Sequence, residues 1–313
     1  MLDSFLIALR VVVPMALLMS AGVLVRKVGF IDRPAMKQFD RLIFRLFMPV
    51  LLFKNIYDTN LSTTMNGRLI AFATAGMFLV FLLAFLAPPL LVKDHNKAAT
   101  IGQAIIRSNY ILFGIAVAQS IFGESGVATV ALLGVVAVPA TNAMSAVILE
   151  INRSGRAKPG QIMISILKNP MVIAALLALM LKLVNFQFPE LIYSVIADIA
   201  SVTTTVSFIS LGVSLDPGEL KKNFHALSVG LVLRMLVVPA IFLPLSVAFG
   251  FRNQELCALM VLFAAPAAVG SYPMAVAMGA DGPLAGQLVC TTTVVSIFTM
   301  FCFTMLFRSL GLL

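Results

Sequence analysis

The sequence predicts an all-α polytopic membrane protein: ten transmembrane helices in two inverted five-helix repeats, with helices four and nine broken. Three observations predict it. The 313-residue chain is 60% hydrophobic and 11% charged, against roughly 25% charged in soluble domains. It divides into about ten apolar segments, each near the ~20 residues needed to cross a bilayer, joined by short polar connections. Finally, the longest polar connection falls almost midway, and segments four and nine carry interruptions at corresponding places. A β-barrel would show short alternating segments instead.

The segments run approximately over 5–25, 36–57, 68–92, 98–122, 126–151, 162–184, 191–215, 224–249, 255–279 and 283–307. The first is a helix and not a cleaved signal, because Arg10 and Pro14 interrupt it and Arg26 and Lys27 follow it. Segment two opens with Arg41 and Arg45 beside Phe39, Leu42 and Leu46, the pattern of an interfacial amphipathic turn, before Met48-Pro49. Twelve Lys or Arg residues lie in the connections after segments one, three, five and seven, and five lie on the opposite side. The positive-inside rule therefore puts both termini outside the cytoplasm of a multi-pass plasma-membrane protein.

The basic, Gly- and Pro-containing stretch at 153–161 reads as a cytoplasmic linker between a first repeat, 1–152, and a second, 162–313. Five segments per repeat is an odd number, so the halves enter the membrane in opposite senses. The net charge of +9 is scattered between apolar runs without interleaved aromatics, which argues against nucleic acid as a partner. Cys257, Cys290 and Cys302 lie in apolar segments without metal-ligand spacing, and His95 and His225 lie in connections. There is no P-loop, no H-E-x-x-H and no paired catalytic groups, so neither an enzyme nor a metal or cofactor is expected.

The stretch 263–279 carries Pro266, Gly270, Ser271, Tyr272 and Pro273 in the middle of segment nine. Pro removes a backbone donor and clashes with the preceding turn, so a continuous helix is not expected. Within a bilayer, non-helical backbone survives only where protein buries it or water reaches it, which makes a break a candidate binding site. Segment four is its counterpart. Aligning Gly123–Gly126 with Gly279–Gly282 sets Gly114 opposite Gly270, and Ser108, Asn109 and Tyr110 opposite Ala264, Ala265 and Pro266.

Met48-Pro-Val-Leu-Leu-Phe53, Asn109 with Gly114, Asn169-Pro170, Leu211-Gly212 with Leu215, and Pro266 with the run 275–281 occur in an order that resembles the auxin efflux carrier family, which includes bacterial organic-acid permeases. The resemblance implies a scaffold of helices one, two, six and seven and a transport unit of three to five and eight to ten. It also implies that helices four and nine cross near the midplane and hold a substrate carboxylate, with Asn109 at the first break and Pro266 in the second. Two departures stand out. Gly114 is followed by Ile115-Ala116 instead of the family's Gly-x-Pro, so helix four is expected to be less sharply interrupted. Segment three lacks the acidic residue that some members associate with a cation or proton.

Freed N–H groups at a half-helix N-terminus suit an anion. Ser108, Asn109, Ser271 and Tyr272 are candidates to add hydrogen bonds. Asn142 and Thr291 to Thr293 are either further lining or helix–helix glue. Arg107 is either an attractor for a carboxylate or a residue that snorkels to the interface. Asp198 and Arg234 are either a structural ion pair, or Asp198 accepts a coupling proton. The expected function is secondary transport of a small organic anion such as malate, by alternating access of the crossed unit. The alternatives are a sodium-coupled carrier of a bulkier anion and a channel or ligand-sensing protein. Proton or sodium coupling and a homodimer stand open as partners.

Overall fold

The computed structural model describes residues 2–58, 66–154, 164, 167–215 and 217–313, so most of the expected linker lies outside the described residues. The described residues form helices joined by short connections, and among them five helices are long and apolar enough to cross a membrane. These are Gly67–Leu91, Glu124–Ile151, Glu190–Ser214, Gly218–Ala248 and Gly282–Ser309, with shorter apolar helices at Tyr110–Phe122, Pro170–Leu183 and Asn253–Ala264. Their outer faces carry Phe78, Leu90, Leu183, Leu191 and Phe298, all exposed. Such apolar belts belong against lipid.

Polar residues in the connections start the helices. Asp94 accepts from the N–H groups of Asn96 and Lys97, Asn169 from Met171, and Asp281 from Leu284. Each carboxylate or amide thereby satisfies donors that a helix N-terminus leaves open. Segments two and eight each widen into a π-turn, Ile43–Phe47 and Leu233–Val237, just before Met48-Pro49 and Val238-Pro239. A proline ring clashes with the carbonyl four residues back, and the looser turn relieves that clash without ending the helix. Arg41 and Arg45 are exposed along the start of segment two, as its amphipathic pattern requires.

Leu2–Lys27 packs along Glu190–Ser214 through two glycines that face each other. A Cβ on Gly22 would lie 2.1 Å from the Ile209 carbonyl oxygen, and one on Gly212 would lie 2.0 Å from that of Met19. Backbones approach this closely only through residues without side chains. Segments two and six join the pair, with Met48–Asp58 against both Pro170–Leu183 and Glu190–Ser214.

Segments four and nine are each split in two. Segment four forms His95–Ile106 and Tyr110–Phe122, and segment nine forms Asn253–Ala264 and Ser271–Ala277. Segment four leaves the helix for three residues, with neither proline nor glycine among them, against six residues in segment nine. Gly114 lies inside the second half-helix, where a Cβ would meet Val130 at 2.6 Å, so it is a packing glycine and not the break.

Gly212→Leu is expected to unfold the purified protein at a clearly lower temperature, because overpacking a tight contact typically costs about 1–3 kcal/mol and here the obstacle is backbone. Gly67→Ala, at a site open on all sides, is the control and should leave the melting temperature unchanged. Equal melting of both variants would remove the role given to the glycine contact.

Candidate functional site

The two breaks meet. Ser108 and Ala267 pair as an antiparallel bridge, in which the Asn109 N–H donates to the Pro266 carbonyl at 2.8 Å and the Ala268 N–H donates to the Arg107 carbonyl at 2.9 Å. Each break thus supplies the hydrogen bonds that the other loses by leaving the helix. Two side chains complete the exchange. The Thr292 hydroxyl accepts from the Ala267 N–H at 3.1 Å, and Ser108 Oγ donates to the Val261 carbonyl at 3.2 Å.

Arg234, in the π-turn of segment eight and 1% exposed, holds the ends of both first half-helices. Its Nη1 donates to the Ile105 carbonyl at 2.8 Å, while Nε and Nη2 donate to the Ala265 carbonyl at 2.9 and 2.6 Å and Nη2 reaches Leu262 at 3.4 Å. Helix C-termini carry partial negative charge and unfilled carbonyls, so one guanidinium serves two of them at once. The expected pair with Asp198 does not form. Asp198 is exposed on segment seven, and the hydrogen bonds of Arg234 go to carbonyls.

Beside the crossing lies a cavity of about 400 Å³. Arg107, Ser108, Asn109, Asn142 and Gly270 line it, which brings together five of the residues singled out from the sequence. Tyr110, Ile111 and Leu112 also line it, and these form the first turn of Tyr110–Phe122, whose N–H groups have no carbonyl within the helix to bond. The Asn109 side chain does not cap that turn. Arg107, 5% exposed, donates from Nη1 to the Gly270 carbonyl at 2.7 Å, and among the described residues no acidic group pairs with it. Asn142 Nδ2 donates to the Val138 carbonyl at 2.8 Å, and its Oδ1 is buried without a partner. Positive potential and open polar groups therefore converge on one small space.

The sequence of the membrane transport protein family matches this chain over residues 7–160 and again over 156–304. The chain belongs to that family. A relative that aligns over 302 residues, an uncharacterized transporter of Methanocaldococcus jannaschii, is 23% identical across 94% of this chain and 97% of its own. The match in both halves agrees with the auxin efflux carrier resemblance, and with the apolar helices it makes this a membrane-embedded transport protein.

The remaining candidates in this transport protein lie off the cavity. Pro266 is inside the bridge, and Ser271, Tyr272 and Pro273 are buried in the second half-helix of segment nine. That half-helix has no open N-terminus, because the N–H groups of Ser271 and Tyr272 bond the carbonyls of Ala268 and Val269, and Pro273 has none. Thr291 and Thr293 bond carbonyls of their own helix. Sequence reasoning passed over five polar lining residues, Asn55, Thr141, Thr203, Thr204 and Ser207. The run Thr203-Thr204-Thr205 with Ser207, inside an apolar segment, was the available signal.

Arg234→Met fills the same space but leaves the carbonyls of Ile105 and Ala265 bare, at about 1–3 kcal/mol for each unsatisfied buried group. It should lower the melting temperature more than Arg107→Met does, since Arg107 holds a single carbonyl and faces a cavity. Thermal unfolding in matched detergent would decide, and the reverse order would displace Arg234 from its place at the crossing.

Proposed function

We propose that this protein is a secondary transporter of a small organic anion, a malate-like mono- or dicarboxylate, and that the cavity at the helix crossing binds it. The observation that carries the reading is the meeting of Arg107 with the open N-terminal turn of Tyr110–Phe122 in one cavity of about 400 Å³. Backbone N–H groups at a helix start and a guanidinium are both donors matched to a carboxylate. Asn142 Oδ1 and the hydroxyl oxygens of Thr203 and Ser207, whose protons go to backbone carbonyls, supply acceptors for a substrate hydroxyl across the cavity. A volume of this size suits a small acid.

The reading extends to ten spans in two inverted repeats, with both termini outside the cytoplasm of the plasma membrane. On that topology, a second cavity of about 290 Å³ shares Asn55, Ile111, Ile115 and Val138 with the first and continues toward Asp58, at the extracytoplasmic end of segment two. A third, of about 500 Å³, is lined by Lys37 and Glu219 on the cytoplasmic side. Alternating access then moves the crossing between these two openings. No ATP-binding motif is present in the sequence, so an ion gradient or exchange is the driving force.

Radiolabelled malate uptake into proteoliposomes tests the reading. Wild type should show saturable uptake, and Arg107→Gln should weaken malate affinity about 10- to 100-fold, the loss expected for a hydrogen bond between charged groups. Asn109→Ala is expected to lower affinity less. Absence of uptake under imposed proton and sodium gradients alike would reject malate as the substrate, and equal affinity of wild type and Arg107→Gln would reject the site.

A further inference from the structure

We propose that Asp40 is the proton-binding site of this transporter and couples the proton to movement of the second half-helix of segment nine. The inference rests on the transport reading above but is drawn from a different part of the molecule. Asp40 is 0% exposed near the start of segment two, and its two carboxylate oxygens are taken by different elements. Ser210 of segment seven donates to Oδ1, and the Tyr272 hydroxyl donates to Oδ2 at 2.9 Å. An acidic side chain buried this fully without a cationic partner among the described residues is costly, and its retention calls for a function.

The surroundings favour a proton over a metal cation. Arg33–Leu42 is packed by Ser271–Ala277, by Glu190–Ser214 and by its own π-turn. From the first of these the titratable group facing Asp40 is Tyr272, from the second the group is the Ser210 hydroxyl, and in the π-turn Arg45 is exposed. On the same helix, Lys37 and Arg41 are exposed. Among the described residues no cation is paired with Asp40, and no group of three acidic, His or Cys side chains forms a metal site. A hard cation needs several oxygen lone pairs, whereas both hydroxyls here already point their protons at the carboxylate. A route for protons lies alongside, because Tyr272 also lines the 500 Å³ cavity together with Lys37 and Ser214.

Protonation changes the contact with no other covalent bond made or broken. As a carboxylate, Asp40 accepts from both hydroxyls and ties Ser271–Ala277 to segments two and seven. When a proton from the cavity adds to Oδ2, that oxygen becomes a donor, the charge-assisted bond from Tyr272 gives way to a weaker neutral one with the roles reversed, and the buried charge disappears. The same half-helix begins next to Gly270, whose carbonyl holds Arg107. The chain Arg107, Gly270, Tyr272, Asp40 therefore joins the anion cavity to the proton site over two residues of backbone.

The test combines infrared difference spectroscopy of the protein in lipid, titrated with pH, and malate uptake under an imposed proton gradient. Wild type is expected to show a protonated-carboxyl band that vanishes as pH rises. Asp40→Asn should lose that band and lose the response of uptake to the gradient. An unchanged band, or uptake in Asp40→Asn that still rises with the gradient as in wild type, overturns the proposal. Should Asp40→Asn fail to fold, Tyr272→Phe removes one donor from the carboxylate and should move the titration upward in pH; an unmoved titration overturns the proposal as well. Failure of wild type to take up malate would remove the substrate reading alone, and the infrared titration, which needs no substrate, then decides the proton site.

Discussion

Two helices cannot both stop in the middle of an apolar bundle unless something takes their end carbonyls, and in this protein Arg234 takes them. Its guanidinium bonds Ile105 at the end of one half-helix and Ala265 just past the end of the other, so the two stops are fixed relative to each other. The bridge between Ser108 and Ala267 and the bond from the Ala267 N–H to the Thr292 hydroxyl both presuppose that arrangement. A buried arginine without an acidic partner is expensive in hydrocarbon, and the compensation here is the summed partial charge of two helix C-termini. The π-turn that carries Arg234 belongs to the same logic, because it lets segment eight pass Pro239 while turning this side chain toward the crossing.

The two breaks look alike in a one-dimensional alignment and differ in three dimensions. Segment four leaves the helix for three residues and restarts with an open first turn facing a cavity. Segment nine leaves for six residues, and the extra length lets its chain fold back so that Ala268 and Val269 satisfy the donors of the restart. Between the breaks the bonds run both ways, Asn109 N–H to Pro266 and Ala268 N–H to Arg107, but beside the cavity one break presents donors and the other the Gly270 carbonyl, which Arg107 takes. On the proposed reading, anion binding therefore falls to one side of the crossing, although the sequence pattern suggested both.

Much of this was legible in the chain. Long apolar runs with Asp or Asn at their starts set the helices, and Pro266 with Gly270 marked the second break because those residue types have few helical options. The first break was harder to see. Arg107-Ser108-Asn109 contains no helix breaker, and its departure from the helix is enforced by partners distant in sequence, Arg234, Val261 and Pro266. Asp40 was hidden for a related reason: it stands among Lys37, Arg41 and Arg45 at the polar start of segment two, and only the packing of segments seven and nine turns it into an interior residue. Arg234 and Asp198 looked like natural partners by depth alone, which says nothing about the direction in which a side chain points.

The proposed motion asks for one tight contact and one that is able to slide, and the packing supplies both kinds. Segments one and seven touch through Gly22 and Gly212 with backbone against backbone, a surface with almost no freedom to shift. The crossing meets segment two through Met48, whose methyl lies where a Cβ on Gly270 would be, and through the hydroxyl of Tyr272. Methionine is flexible and adapts to a moving neighbour, and a single hydroxyl-to-carboxylate bond is an interaction that a proton weakens. Because the backbone groups at the two breaks bond mainly to each other and to Arg234, displacement past segments two and seven leaves those bonds in place. The cost of moving is thereby concentrated in Asp40, and a site whose protonation sets that cost is where an ion gradient acts most directly on the position of the bound anion.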